Sequence, residues 1–99
     1  MAEYILTNKA VEDLSKIWDY TYEVGSENQA DKYYFELVAD CQELAENQSL
    51  GKNYSEIEKN IFGFMSGQHL IFCRIQHPAQ IEIIRILHSR MDLKNRIQE

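Results

Sequence analysis

Apolar positions recur along this chain in two rhythms, and the switch between them divides it. Tyr4-Ile5-Leu6-Thr7 is a short β-prone run that stops at Thr7-Asn8, either of which can cap a helix. From Lys9 to Val24, the residues Ala10, Leu14, Ile17, Trp18 and Thr21 follow at three- and four-residue spacing, while Glu12, Asp13, Lys16, Asp19 and Glu23 fall mostly opposite. That is the signature of an amphipathic helix. Gly25-Ser26 then supplies a helix-ending glycine and a fresh N-cap. Ala30, Tyr33, Tyr34, Leu37, Cys41, Leu44 and Ala45 repeat the same spacing up to Glu46, so a second helix antiparallel to the first is expected. Two helices cannot hide both apolar stripes against each other, and the hairpin must therefore lie on another layer.

Residues 47–60 read as a loop with room for one helical turn, and beyond them the period changes. Ile61–Met65, His69–Gln76 and Ile81–His88 are strand-like runs separated by Ser66-Gly67-Gln68 and His77-Pro78-Ala79-Gln80, which predicts an antiparallel meander. If Gln76 pairs with Ile81, opposed residue numbers sum to 157. Arg74 then faces Ile83, Phe72 faces Arg85 and Leu70 faces Leu87, all on one side of the sheet. The other side collects Ile71, Cys73, Ile75, Ile84 and Ile86, with Glu82 at one end and His69 beside His88 at the other. This aliphatic side is assigned to the helical hairpin, because burying it yields roughly 25 cal/mol per Å². Asp92 can cap a short final helix, Leu93–Gln98, whose Ile97 folds back on the body. The fold class expected is α+β: an N-terminal strand, an antiparallel helical hairpin packed on a three- to four-stranded antiparallel sheet, and a short C-terminal helix.

Composition narrows this picture. At 99 residues the chain suits one domain, 1–99, and its 44% hydrophobic content supports a folded core. No apolar run approaches the roughly 20 residues of a membrane-spanning helix, and the first residues lack a signal-peptide layout, so a cytoplasmic protein without a membrane partner is expected. The net charge of −6 is uneven: residues 1–60 hold five Lys against thirteen acids, and residues 61–99 hold five basic residues against three acids. The acidic part repels phosphates, which argues against direct nucleic-acid binding, while the weakly basic part could meet an acidic protein.

Candidate chemistry is sparse. Cys41 and Cys73 sit in apolar patterns and read as buried thiols. His69, His77 and His88 lack metal-ligand spacing and thiolate or carboxylate neighbours, so neither a metal nor a cofactor is expected. No nucleophile elbow, phosphate-cradling loop or catalytic triad order stands out, and no catalytic residue is assigned. The two arginines set among Leu70, Phe72, Ile83 and Leu87 have the make-up of an interface core with Arg anchors. The alternative reading is that their stems cover apolar surface while their heads reach water.

Several short segments, in order, carry a family resemblance: Tyr4-Ile5-Leu6-Thr7 before a helix, Gln29-Ala30 and Tyr33, Leu50-Gly51, His69-Leu70-Ile71-Phe72, and above all Arg85-Ile86-Leu87-His88 with Met91-Asp92. From Glu3 to Leu93 the chain resembles ParE-type toxins of the ParE/RelE toxin–antitoxin superfamily. The resemblance implies a helical hairpin on an antiparallel sheet, a ParD-like antitoxin bound in a toxin–antitoxin hetero-oligomer, and DNA gyrase as the target. Nucleic acid would then be met only through the antitoxin. Relatives of the RelE branch cut messenger RNA on the ribosome with basic residues and often a tyrosine. Here residues 61–91 offer only Arg74, Arg85 and Arg90 as cations, with no Lys and no Tyr, so an acid–base pair for RNA cleavage is hard to assemble. Leu70, Phe72, Arg74, Arg85, His88, Arg90, Met91 and Asp92 are the candidate partner-binding residues, for gyrase or antitoxin.

Overall fold

The computed structural model describes residues 2–97. Its elements run β1 (Glu3–Leu6), α1 (Asn8–Val24), α2 (Glu27–Glu46), a single 3₁₀ turn at Gln48–Leu50, β2 (Lys52–Asn53), β3 (Phe62–Ser66), β4 (His69–His77), β5 (Gln80–His88) and α3 (Leu93–Ile97). The expected end of the last helix, Gln98, lies outside the described residues. The α+β class and its element order match the expectation, but the sheet has five strands, in the order β1-β5-β4-β3-β2. The additions are the two-residue β2, inside the stretch read as loop, and β1, which runs parallel to β5 with Tyr4 opposite Ile81 and Leu6 opposite Ile83.

Both long helices start as their sequences dictate. The Thr7 hydroxyl accepts from the Ala10 N–H at 3.1 Å, and the Ser26 hydroxyl accepts from the Gln29 N–H at 3.2 Å. Ala10, Leu14, Leu37, Cys41, Leu44 and Ala45 of the hairpin bury themselves on Ile71, Cys73, Ile81, Ile83 and Ile86 of the sheet. Between β3 and β4, Gly67 adopts φ +58, the conformation demanded at the first central position of a two-residue hairpin turn.

The register of β4 on β5 departs from simple pairing. His69 faces His88, Leu70 faces Leu87, Ile71 faces Ile86 and Phe72 faces Arg85 as expected. Then the ladder slips: Cys73 faces Ile83, Arg74 faces Glu82 and Ile75 faces Ile81, until a second irregularity restores His77 opposite Gln80. The first slip is a bulge that leaves Ile84 without a partner residue. It corrects four assignments. Ile83 joins the core under the helices, Ile84 passes to the opposite side with Leu70, Phe72 and Leu87, and Ile75 is exposed. Glu82 also moves across, to stand opposite Arg74.

The second face of the sheet is not open. Ile61 and Ile97 pack on Leu70, Phe72, Ile84 and Leu87, with Tyr54, Ile57 and Leu93 around them. Tyr54 meets the Phe72 ring edge-on at 5.4 Å, a close approach that Gly63 allows, since a Cβ there would stand 2.7 Å from the Tyr54 ring. Leu70 and Phe72 are therefore buried, against the expectation of an exposed binding face.

Candidate functional site

The residue that organises the site is Asp13. It lies at the i+3 position from Ala10, on the apolar stripe of α1, and is 8% exposed where the sequence suggested a solvated acid. One of its carboxylate oxygens accepts from Arg85 Nε at 2.8 Å and from the Ile86 N–H at 3.0 Å, while the other accepts from Arg85 Nη2 at 3.0 Å. Arg85 Nη1 donates to the Arg96 carbonyl in α3. A bidentate, largely desolvated pair of this kind ties α1, β5 and α3 at one point. Arg85 is thus not an outward anchor with its head in water. It is a clamp with 11% of its side chain exposed.

The clamp closes a gap in the sheet. β1 stops at Leu6, so β5 has no neighbour on that side beyond Ile83. The Thr7 hydroxyl donates to the Ile84 carbonyl at 2.9 Å, and the Asp13 carboxylate takes the Ile86 N–H. Two side chains thereby satisfy backbone groups that a strand would otherwise pair.

Past Ile86 the gap widens into a cleft of about 790 Å³, bounded by α1 (Lys16, Ile17, Tyr20), by Tyr33 of α2, by the end of the meander (Gln68, His69, Leu87, His88) and by Arg90, Met91 and Arg96. Its wall is held in place by hydrogen bonds. The Tyr33 hydroxyl accepts from the Gln68 N–H at 3.1 Å and stands 2.6 Å from His69 Nδ1. Burial, followed by the neighbouring His88, pushes the His69 pKa down to about 4, so the ring is neutral at pH 7. Burial raises the Tyr33 pKa, which the Gln68 N–H opposes. His88 lies edge-on to His69 at 5.3 Å, contacts Gln68 Oε1 at 3.2 Å, and accepts from the Arg90 N–H at 3.1 Å.

Of the candidate residues, His88, Arg90 and Met91 border this cleft together with Arg85. Arg74 is half-exposed on the other side of the sheet, ion-paired with Glu58. Asp92 accepts from the backbone and side chain of Asn95, at 3.4 and 2.7 Å, as the cap of α3. The sequence reading passed over Asp13, Lys16, Tyr20 and Tyr33. Only Asp13 carried a signal, an acid on an apolar stripe; Tyr33 reads as core edge until the turn at Gly67 brings it to His69. Among the described residues no group of three or more His, Cys, Asp or Glu could hold a metal ion. No helix among them is long and apolar enough to cross a membrane.

A second feature lies on the outside of the hairpin. Val11, Trp18 and Tyr22 form a stripe along α1, Trp18 stacking on Tyr22 at 5.3 Å and donating its indole N–H to Asp31 of α2 at 2.9 Å. Phe35 continues the apolar surface on α2 at 66% exposure.

These features define a class of small α+β domain, with a helical hairpin on one face of a mostly antiparallel sheet and a cation-rich cleft beside its last long strand. The family model for the "ParE toxin of type II toxin-antitoxin system, parDE" matches residues 4–93. Toxin ParE1 of Mycobacterium tuberculosis (strain ATCC 25618 / H37Rv) is 33% identical over 92 residues, covering 93% of this chain and 94% of that protein. Toxin ParE1 of Caulobacter vibrioides is 32% identical over 94 residues, 95% and 96% of the two chains. Toxin ParE of Escherichia coli is 30% identical over 99 residues, 100% and 96%. A structure titled "Chromosomal ParDE TA system from P. aeruginosa" shares the fold at a TM-score of 0.76 and 20% identity, covering 89% of this chain and 96% of that one. The chain belongs to the ParE family of toxins of type II toxin–antitoxin systems.

Proposed function

We propose that this toxin, acting in the cytoplasm as one domain over residues 1–99, inhibits DNA gyrase without catalysing a reaction, and that direct binding of a ParD-like antitoxin in a hetero-oligomer neutralises it. The observation that carries the reading is the end-to-end likeness to ParE toxins across residues 4–93. The chemistry of the site agrees. Arg85 spends its guanidinium on Asp13 and the Arg96 carbonyl, so it is not poised as a phosphate ligand. His88, Arg90 and Met91 are proposed to meet a partner at the cleft mouth and Arg74 on the far side of the sheet. Leu70, Phe72, Arg85 and Asp92 act from beneath, by holding that surface in shape.

The exposed Val11, Tyr22 and Phe35, with the half-buried Trp18 among them, suit an amphipathic antitoxin helix, and the acidic faces around them suit a basic segment of the same partner. Induced expression without antitoxin is expected to arrest growth with filamentation and an SOS response, and the purified protein to inhibit gyrase. Intact gyrase activity together with codon-position cuts in mapped transcript 5′ ends would replace this reading by RelE-like messenger RNA cleavage. Normal growth after induction would mark an inactive toxin kept as an antitoxin ligand.

A further inference from the structure

The cleft beside His88 has a composition that the rest of the molecule lacks. Four of the ten Lys and Arg residues of the chain, Lys16, Arg85, Arg90 and Arg96, line it, against one of the sixteen acids, Asp13. That makes a local charge of +3 (4 − 1) in a chain of −6. Asp13 is already neutralised by Arg85. Among the described residues, the exposed side chains of Lys16 and Arg90 make no ion pair. Ile17 and Met91 stand in the same lining, with Tyr20 and Tyr33. A partly enclosed, cationic site of this size with apolar groups in its lining selects an anion that also carries hydrophobic groups.

On the flank of β5 that β1 leaves bare, the Ile86 N–H is taken by Asp13 and the His88 carbonyl accepts from the Met91 N–H at 3.0 Å, so recognition there falls to the side chains.

We propose that the cleft binds an acidic-aliphatic segment of a partner protein, with its carboxylates on Lys16 and Arg90 and an apolar side chain over Ile17 and Met91. A nucleic acid is the poorer occupant. Its affinity scales with the number of phosphates neutralised, and here two unpaired cations stand beside a half-chain bearing thirteen acids against five Lys. The site holds whichever partner brings the segment, so it does not depend on gyrase being the target.

The test is an NMR titration of the whole chain with three probes: acetyl-Glu-Leu-Asp-Leu-Glu amide, its Gln/Asn counterpart, and a five-nucleotide oligouridylate. The acidic peptide is expected to shift the amides of Ile17, Leu87 and Met91 saturably in the millimolar range or below, with the neutral peptide at least about tenfold weaker. The double variant Lys16→Glu/Arg90→Glu should lose the acidic peptide and keep the wild-type melting temperature, because both side chains are exposed. Equal binding of the acidic and neutral peptides would overturn the proposal, as would the absence of saturable shifts. Tighter binding of the oligonucleotide would overturn it in favour of nucleic acid.

Discussion

At the scale of single residues, Asp13 and Arg85 decide the most. Each would be costly alone in the interior, and together they cancel while also satisfying the Ile86 N–H and the Arg96 carbonyl. Removing one partner strands the other, so Asp13→Ala is expected to lower unfolding free energy by about 3–5 kcal/mol in urea denaturation. A loss below about 1 kcal/mol would mean the pair contributes no more than a surface contact. His69 gives a pH test. Its folded pKa, about 4, lies below the ordinary 6.5, so the folded state resists a proton that the unfolded chain accepts. This contribution is whole above pH 6.5 and is lost as pH falls toward 4. Melting temperature should decline across that window in the wild type and decline less in His69→Gln. Asp13 was partly legible, since an acid on an apolar stripe is an anomaly, but its partner stands 72 residues away. No local pattern links them.

At the scale of elements, β5 shows how far periodicity reaches. In the run Ile81-Glu82-Ile83-Ile84-Arg85-Ile86-Leu87, the strict alternation that puts Ile86 under the helices turns Ile81 and Ile83 away from them. The bulge sets Ile84 and Arg85 consecutively on the other side, so that Ile81, Ile83 and Ile86 all reach the core. Where the slip begins depends on packing across the sheet, which alternation does not show. The β3–β4 turn is a second case. Gly67 was legible as a turn glycine, but not as the floor for Tyr33, whose ring carbon Cε1 and hydroxyl would each lie 2.7 Å from any Cβ there. Gly67→Ala combines left-handed strain of about 1–2 kcal/mol with displacement of Tyr33. A lower melting temperature should come with a His69 pKa that climbs back toward 6.5 in an NMR titration. A lowered melting temperature with an unmoved pKa would separate the turn from the cleft.

At the scale of the whole molecule, the two faces of the sheet have separate tasks. The helix side holds the larger core, including both cysteines, whose thiols burial pushes up to about 12 for Cys41 and about 11 for Cys73. Thiol reagents at pH 8 are expected to label neither in the native protein and both after denaturation; fast native labelling would show that the core opens. Charge is divided as well, into acidic outer helices and a cationic cleft. An antitoxin held partly by the acidic helices should bind less tightly as salt rises, and an affinity constant from low to high salt would remove the electrostatic part of that contact.

Sequence by itself determined the elements other than the two-residue β2, their order, both helix caps and the family likeness, because these rest on side-chain spacing and turn chemistry within a few residues. Tertiary structure alone decided the rest. It set the slip that exchanges Ile83 and Ile84, the burial of Leu70 and Phe72 beneath Tyr54, Ile61 and Ile97, and the clamp of Arg85 by Asp13. It also built the cleft that gathers Lys16, Tyr33 and the His88–Arg90 stretch from three parts of the chain. Each of these depends on groups far apart in sequence competing for the same buried space or the same hydrogen bond, and that competition is settled only when the layers meet.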